Sequence, residues 1–91
     1  MSLGRLKKFE VLDNIVHKTL YELFGDLIEI EKGYPSVGPN NSYYKVAYKI
    51  YEDGKSEPDF TYLTFTYSLR PTMIKVEYKI HSTSTKISPK L

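Results

Sequence analysis

Residues 43–51 read YYKVAYKIY, and residues 73–80 echo them as MIKVEYKI. In both segments apolar or aromatic side chains recur at a period of two, the pattern of a strand with one buried face. The lysines fall on the other face of each segment. The two segments therefore predict a β-sheet with one apolar face and one face that carries lysines.

The rest of the chain predicts one helix and two more strands. Residues 2–24 carry apolar side chains at the 3.6-residue period of a helix, with Ser2 available as its cap and Gly25 as its stop signal. Further strands are predicted at residues 26–32 and 59–68, and the fourth strand runs over residues 73–81. The segment GYPSVGPNNS, residues 33–42, is expected to be a loop without regular structure.

This order of elements predicts an α+β fold. We expect a single domain over residues 1–81, with the N-terminal helix packed on a four-stranded antiparallel meander sheet. Residues 82–91, STSTKISPKL, lack an apolar pattern and are expected to form a disordered, flexible tail. The helix-on-sheet outline is similar to that of cystatin-like domains, a resemblance that implies a shape and no function.

Composition restricts the class of protein. The 91 residues fit one domain, and the absence of cysteine excludes disulfides and thiolate metal sites. No apolar run approaches the ~20 residues of a membrane span, and residues 1–14 lack the apolar core of a signal peptide, so we expect a cytoplasmic protein without membrane contact. Abundant Lys, Ile and Glu give a thermophile-like composition.

Charge is distributed unevenly along the chain. Residues 1–31 hold four basic and six acidic residues, whereas residues 32–91 hold nine basic and five acidic ones. The basic character thus falls on the predicted sheet and tail, which favours an anionic partner or simply gives solubility.

The period-two pattern assigns each strand residue to a face, with the helix expected on the more apolar one. The residues expected to point inward are Tyr44, Val46, Tyr48, Ile50, Leu63, Phe65, Tyr67, Ile74, Val76, Tyr78 and Ile80. The opposite face is the candidate binding surface, and we call it the lysine–tyrosine face: Tyr43, Lys45, Lys49, Tyr51, Tyr62, Lys75 and Lys79.

Three interpretations of the lysine–tyrosine face stay open. It could be a dimer interface that buries Phe60, Tyr62 and Met73, or a solvent-exposed face kept soluble by lysine. It could also bind single-stranded nucleic acid, because bases stack on aromatic rings while ammonium groups meet phosphates. The wide apolar arc of the helix, with Val11 and Ile15 at its side, predicts deep burial or a second contact surface, and we favour burial.

One catalytic pattern is present. Pro58-Asp59, followed by Glu77-Tyr78-Lys79, resembles the PD-(D/E)xK nuclease signature. The resemblance implies Mg²⁺ bound by Asp59 and Glu77, with Lys79 assisting the attacking water and Glu10 as a helix acid.

The geometry of a hairpin argues against that resemblance. Asp59 is in phase with the inward Leu63 and Phe65, whereas Glu77 and Lys79 point outward, and Arg70-Pro71 places the turn too late to bring the acids side by side. The helix that follows the ExK strand in that family is also missing from the predicted elements.

Other polar residues give no catalytic or metal pattern. His17 and His81 lack the spacing of metal ligands, and we expect no cofactor. The acidic residues of the first third of the chain are expected to form a solvated face: Glu10, Asp13, Glu22, Asp26, Glu29 and Glu31.

These patterns predict a small non-enzymatic binding or assembly domain that forms a homodimer, using the lysine–tyrosine face or the side of the helix that bears Val11 and Ile15. The alternative is a protein that binds single-stranded nucleic acid through the lysine–tyrosine face, and the third hypothesis is the metal-dependent nuclease.

Overall fold

A computed structural model describes residues 4–25, 27–54, 59–70, 73–84 and 87. It contains one helix, five strands and a short 3₁₀ turn at Pro39–Asn41. The helix and strands are α1 (Arg5–Phe24), β1 (Ile28–Lys32), β2 (Ser36–Val37), β3 (Tyr43–Glu52), β4 (Thr61–Arg70) and β5 (Met73–Ser82). The predicted α+β fold, a helix packed on an antiparallel sheet, is confirmed.

The sheet is antiparallel, with the strand order β1-β3-β4-β5. The predicted meander of four strands is present, and β2 is added to it. The short β2 pairs Ser36 with Lys45 and Val37 with Tyr44, so the expectation of a segment without regular structure between residues 33 and 42 is wrong at this point. The reason is that β3 is twice as long as β1, which leaves one end of β3 without a partner from β1.

The ends of α1 follow the predicted signals in part. Gly25 has φ 97° and donates its backbone N–H to the carbonyl of Tyr21, which ends the helix as its sequence predicts. The helix begins at Arg5 with Gly4 at the capping position. The predicted cap Ser2 lies outside the described residues.

The core lies between α1 and strands β1, β3 and β4. Phe9 and Leu20 of α1 pack against the inward side chains of β3 and β4. The inward face predicted for β3 is confirmed, because Tyr44, Val46, Tyr48 and Ile50 are all buried; Leu63 and Tyr67 of β4 are buried too.

The inward face predicted for the last strand is wrong. Ile74 is half-buried, but Val76, Tyr78 and Ile80 are exposed by 43%, 69% and 53%, respectively. One helix is about 10 Å wide, whereas four strands at about 4.8 Å spacing are considerably wider. Because α1 contacts β1 and β4, β5 is left beyond its edge.

The chain continues past β5 alongside the start of β4. Ser84 lies just outside β5. Its backbone N–H donates a hydrogen bond to Thr61 Oγ1 at 3.0 Å, and its hydroxyl donates one to Asp59 Oδ2 at 2.9 Å. Ile87 is buried and belongs to the core. The remaining residues of the predicted tail, 85, 86 and 88–91, lie outside the described residues.

Candidate functional site

A group of polar side chains is buried between α1 and the sheet, around the carboxylate of Asp13. The side chain of Asp13 is fully shielded from solvent. The hydroxyls of Tyr48 and Tyr67 donate hydrogen bonds to its Oδ1 at 2.6 and 2.7 Å. Lys32 Nζ lies 2.7 Å from Oδ2, an ion pair without the angular geometry of a hydrogen bond. We call these four residues the Asp13 cluster.

Strand register brings the Asp13 cluster together. Lys32, the last residue of β1, lies directly opposite Tyr48 of β3, so both side chains share the face under the helix. Tyr67 of β4 lies opposite Tyr44, on the same face. Asp13 follows Phe9 by one helical turn and therefore enters the same interior. Four elements thus contribute one residue each.

Burial changes the proton affinity of the aromatic hydroxyls. Desolvation, followed by the hydrogen bond to Asp13, raises the pKa of Tyr48 and the pKa of Tyr67 well above the ordinary value of 10.0. Desolvation also raises the pKa of Tyr44. Both hydrogen-bonded tyrosines therefore stay protonated and keep donating to the carboxylate at neutral pH.

His17 borders the Asp13 cluster. Its ring centroid lies 5.2 Å from that of Tyr48 and 5.8 Å from that of Tyr21. Burial first, and then the charge of Lys32, lower the pKa of His17 below 6.5. Its Nε2 atom is buried and has no hydrogen-bond partner within the described part of the chain. These two effects outweigh the opposing charge of Asp13 and favour the uncharged form of His17.

The Asp13 cluster is suited to hold the helix on the sheet. Both carboxylate oxygens are in contact with side chains of the sheet, and the carboxylate has no exposed surface at which a substrate could meet it. Lys32 is the member with substantial exposure, with 29% of its side chain in contact with solvent. We therefore assign the cluster a structural role.

The placement of Asp13 on a solvated face is wrong. The signal that could have identified it is its spacing: Phe9, Asp13, Val16 and Leu20 recur at the intervals of one helix face. A carboxylate in an apolar helical stripe predicts buried donors from elsewhere in the fold, because an unpaired buried charge is very costly.

The three residues of the nuclease hypothesis lie apart. Asp59 precedes β4 and accepts the hydrogen bond from Ser84, whereas Glu77 lies opposite Thr66 in the middle of β4. Thr66 follows Asp59 by seven positions of mostly extended chain, which places the carboxylates of Asp59 and Glu77 on the order of 20 Å apart. Glu77 forms an ion pair with Lys75 at 3.3 Å, and Lys79 lies opposite Thr64. Among the described residues no group of three or more His, Asp or Glu could hold a metal ion.

The lysine–tyrosine face forms a row across the sheet. The register places Lys49 opposite Tyr62, and Lys45 opposite Thr66, on the side away from α1. Lys49 Nζ lies 4.9 Å from the ring centroid of Phe60, a cation–π contact. Tyr43 and Lys45 are exposed, but Tyr51 is buried and so cannot be a stacking platform.

Acidic groups and a histidine interrupt this basic face. Glu31 lies opposite Lys49, and Glu77 pairs with Lys75. His81 sits at an irregularity in the pairing of β4 with β5, where its Nε2 is 2.9 Å from Thr64 Oγ1 and its ring meets the edge of Tyr62 at 5.2 Å. The surface is therefore of mixed charge.

An open groove of about 390 Å³ lies where β1 ends beside β3. The residues that line it are Glu31, Lys32, Gly33, Ala47, Tyr48, Lys49 and Tyr62. The groove carries charges of both signs.

An apolar surface lies on the helix side of β5. We call Val76, Tyr78 and Ile80 the β5 strip. Phe65 of β4 connects it with the core, since its ring centroid is 6.2 Å from that of Tyr78 and 5.9 Å from that of Tyr48. Sequence patterning identified these residues as apolar and placed them under the helix; their exposure follows from where the helix lies.

The flank of the helix is also exposed. Val11 and Ile15 are exposed by 42% and 55%, so the expected deep burial of the whole apolar arc is wrong for these two residues. They lie on the opposite flank of α1 from His17, which is the flank near Lys32.

No protein-family model, curated protein or solved structure matches this chain. Within the described residues, α1 is not apolar enough to cross a membrane.

Proposed function

We propose that this chain is a non-enzymatic assembly domain that works as a homodimer, with β5 as its interface. The observation that supports it is the β5 strip, three adjacent apolar side chains exposed on one face of an edge strand. This interface replaces the two surfaces that the sequence favoured, the lysine–tyrosine face and the flank of the helix.

The edge of β5 supports the same proposal. An edge strand presents unpaired backbone N–H and C=O groups, and natural sheets usually protect such an edge with very short strands, proline, charged side chains or bulges. β5 carries Lys75, Lys79 and an irregularity at His81, but it is ten residues long, and the residues on its helix side are apolar. A strand of this kind is suited to pairing with another strand.

The free energy of dimerisation requires backbone pairing along the edge of β5 in addition to burial of the β5 strip. Burying the exposed parts of three such side chains from each of two copies gains on the order of 5 kcal/mol. Association costs about 4–15 kcal/mol in lost translational and rotational freedom. The apolar gain therefore only reaches the lower end of that cost. Backbone pairing along β5 supplies the surplus, and we expect a dimer with a micromolar dissociation constant.

Light scattering on a sizing column over a range of protein concentrations tests this proposal. Val76→Glu places a charge in the β5 strip and should leave a monomer at concentrations where the unchanged protein is a dimer. Val11→Glu is the matched control, because Val11 is the same residue type with nearly the same exposure on the helix flank. Circular dichroism checks that both variants fold.

Each other outcome has a definite meaning. If Val11→Glu abolishes the dimer and Val76→Glu does not, the interface is the helix flank. If the unchanged protein is a monomer at hundreds of micromolar, the homodimer proposal is wrong.

Binding of single-stranded nucleic acid is the second candidate. Its support is the exposed Tyr43, Lys45 and Lys79 on one face of the sheet. Co-elution with a short single-stranded DNA that is lost at high salt would favour it, and Lys45→Glu should then weaken binding. The nuclease hypothesis predicts Mg²⁺-dependent cleavage that Glu77→Ala abolishes, and the separation of Asp59 from Glu77 gives it no support. A cytoplasmic location stays a prediction.

A further inference from the structure

The sequence of β5 is complementary to itself when two copies run antiparallel. We infer that the homodimer forms by pairing β5 with β5 around a two-fold axis at Tyr78, which joins the two sheets into one. This inference rests on the homodimer proposed above and specifies its register.

The faces of β5 carry different side chains. Glu77 and Lys79 lie opposite Thr66 and Thr64, on the side away from the helix, whereas Val76, Tyr78 and Ile80 lie on the helix side. A two-fold axis perpendicular to the sheet keeps each face on its own side in both copies. Apolar residues then meet apolar residues, and charged residues meet charged residues.

With the axis at Tyr78, every pair near the centre is favourable. Glu77 lies opposite the partner's Lys79, and Lys79 lies opposite the partner's Glu77. On the helix side Val76 lies opposite the partner's Ile80, and the two Tyr78 rings are neighbours. Opposite charges and apolar pairs directly across from each other stabilise antiparallel strands.

Neighbouring registers are less favourable. An axis at Glu77 places two Glu77 carboxylates opposite each other and Lys75 opposite the partner's Lys79, which opposes like charges. An axis at Val76 pairs Lys75 with the partner's Glu77, but it aligns only residues 73–79 of the two strands. The axis at Tyr78 aligns residues 74–82, nearly the whole of β5.

Lys79 supports the same register. Glu77 forms its ion pair with Lys75, whereas Lys79 has no ionic partner among the residues that the structure describes. The register at Tyr78 supplies each Lys79 with the partner's Glu77. The irregularity at His81 falls near the end of the paired segment and leaves residues 76–80 regular.

The two-fold axis also places both helices on the same side of the joined sheet. The β5 strips of the two copies then lie side by side between the helices, so that each covers part of the other. This arrangement accounts for apolar side chains that α1 is too narrow to cover.

Single cysteines test the register, because the chain contains no cysteine of its own. Tyr78→Cys places two thiols directly opposite each other at the axis, within the range of a disulfide. Val76→Cys is the matched control on the same strand face, since its counterpart across the axis is Ile80. We expect Tyr78→Cys to form a covalent dimer in oxidised glutathione at least ten times faster than Val76→Cys, and Val76→Cys mixed with Ile80→Cys to form the covalent heterodimer.

A charge exchange provides a second test that leaves the apolar strip unchanged. In the dimer, Glu77→Lys places a lysine opposite a lysine at two positions, and Lys79→Glu places a glutamate opposite a glutamate at two positions. Each variant should therefore weaken dimerisation about tenfold. The double variant Glu77→Lys/Lys79→Glu restores both pairs and should return the dissociation constant to near that of the unchanged protein. Rescue by Lys75→Glu in place of Lys79→Glu would assign the axis to Val76 and overturn the register.

The outcomes separate this inference from the proposal on which it rests. A dimer in light scattering whose Val76→Cys variant links faster than Tyr78→Cys overturns the register and keeps the homodimer. A dimer in which neither cysteine links and neither charge variant weakens binding overturns the pairing of β5 altogether. A protein that stays monomeric contradicts the homodimer itself.

Discussion

Replacement of Asp13 by alanine should remove much of the stability of this fold. Asp13 is the shared acceptor of the hydroxyls of Tyr48 and Tyr67, and it is the ionic partner of Lys32. In the alanine variant both hydroxyls stay in the interior without that acceptor. The effect is on stability, since the cluster has no exposed carboxylate with which to act on a ligand.

The magnitude follows from the contacts. A hydrogen bond to a charged group contributes about 1.5–3 kcal/mol, and two are lost. Lys32 adds little, because its partly exposed ammonium can turn to water. The expected loss is therefore about 3–5 kcal/mol, as for breaking a buried ion pair. For a domain of this size each kcal/mol lowers Tm by roughly 4–8 °C, so the midpoint should fall by at least about 12 °C.

Urea unfolding followed by circular dichroism measures this loss. Glu10→Ala is the matched control, because Glu10 is an acidic residue of the same helix with 43% of its side chain exposed, and it should change the free energy of unfolding by less than about 0.5 kcal/mol. Combining Asp13→Leu with Tyr48→Phe and Tyr67→Phe should recover part of the loss, because no buried hydroxyl is then left unpaired. A loss below about 1 kcal/mol for Asp13→Ala would refute the assigned role of the cluster.

Two further predictions concern stability. The pKa values of Tyr48 and Tyr67 are raised in the folded state, so above pH 10 the unfolded chain loses these protons first, and stability that is complete below pH 10 declines as pH rises. Above pH 10, the free energy of unfolding should fall by about 1.4 kcal/mol per pH unit for each of the two tyrosines. Urea midpoints measured from pH 8 to 11 should therefore fall less steeply in a variant in which both tyrosines are replaced by phenylalanine. Gly54 has φ 78° with open space around it, so Gly54→Ala should cost about 1 kcal/mol through backbone strain alone. Gly33→Ala is the control, because its added Cβ would meet Ala47 at ordinary contact distances. It should lower the free energy of unfolding by less than half as much as Gly54→Ala in the same urea assay. Equal losses in the two variants would contradict the explanation by backbone strain.

Local patterns were sufficient for the helix and the four strands of the meander, but not for β2. The period of two placed the buried residues of β3 correctly, and Gly25 marked the end of α1. These features depend on the chemistry of neighbouring residues, because side-chain direction alternates along a strand and a glycine with positive φ ends a helix. The arrangement of a helix on an antiparallel sheet followed from the order of the elements.

Local patterns could not predict which residues meet in the Asp13 cluster. Asp13 and Tyr67 are 54 residues apart in the sequence, and nothing local to either indicates the other. Their contact depends on which strands lie beneath the helix and on the register that places Lys32 opposite Tyr48. The spacing of Asp13 within the apolar stripe of α1 indicates burial, but only long-range packing decides which side chains of the sheet meet its carboxylate.

The sequence by itself thus determined the helix, the four strands of the meander, their order and the two faces of each of these strands, because these depend on periods of two and 3.6 residues. The tertiary structure alone decided which side chains surround Asp13 and that Val76, Tyr78 and Ile80 are exposed. The physical reason is the width of the helix: α1 packs over β1, β3 and β4, and the position at which it rests leaves β5 uncovered. The same apolar pattern is core in β3 and surface in β5.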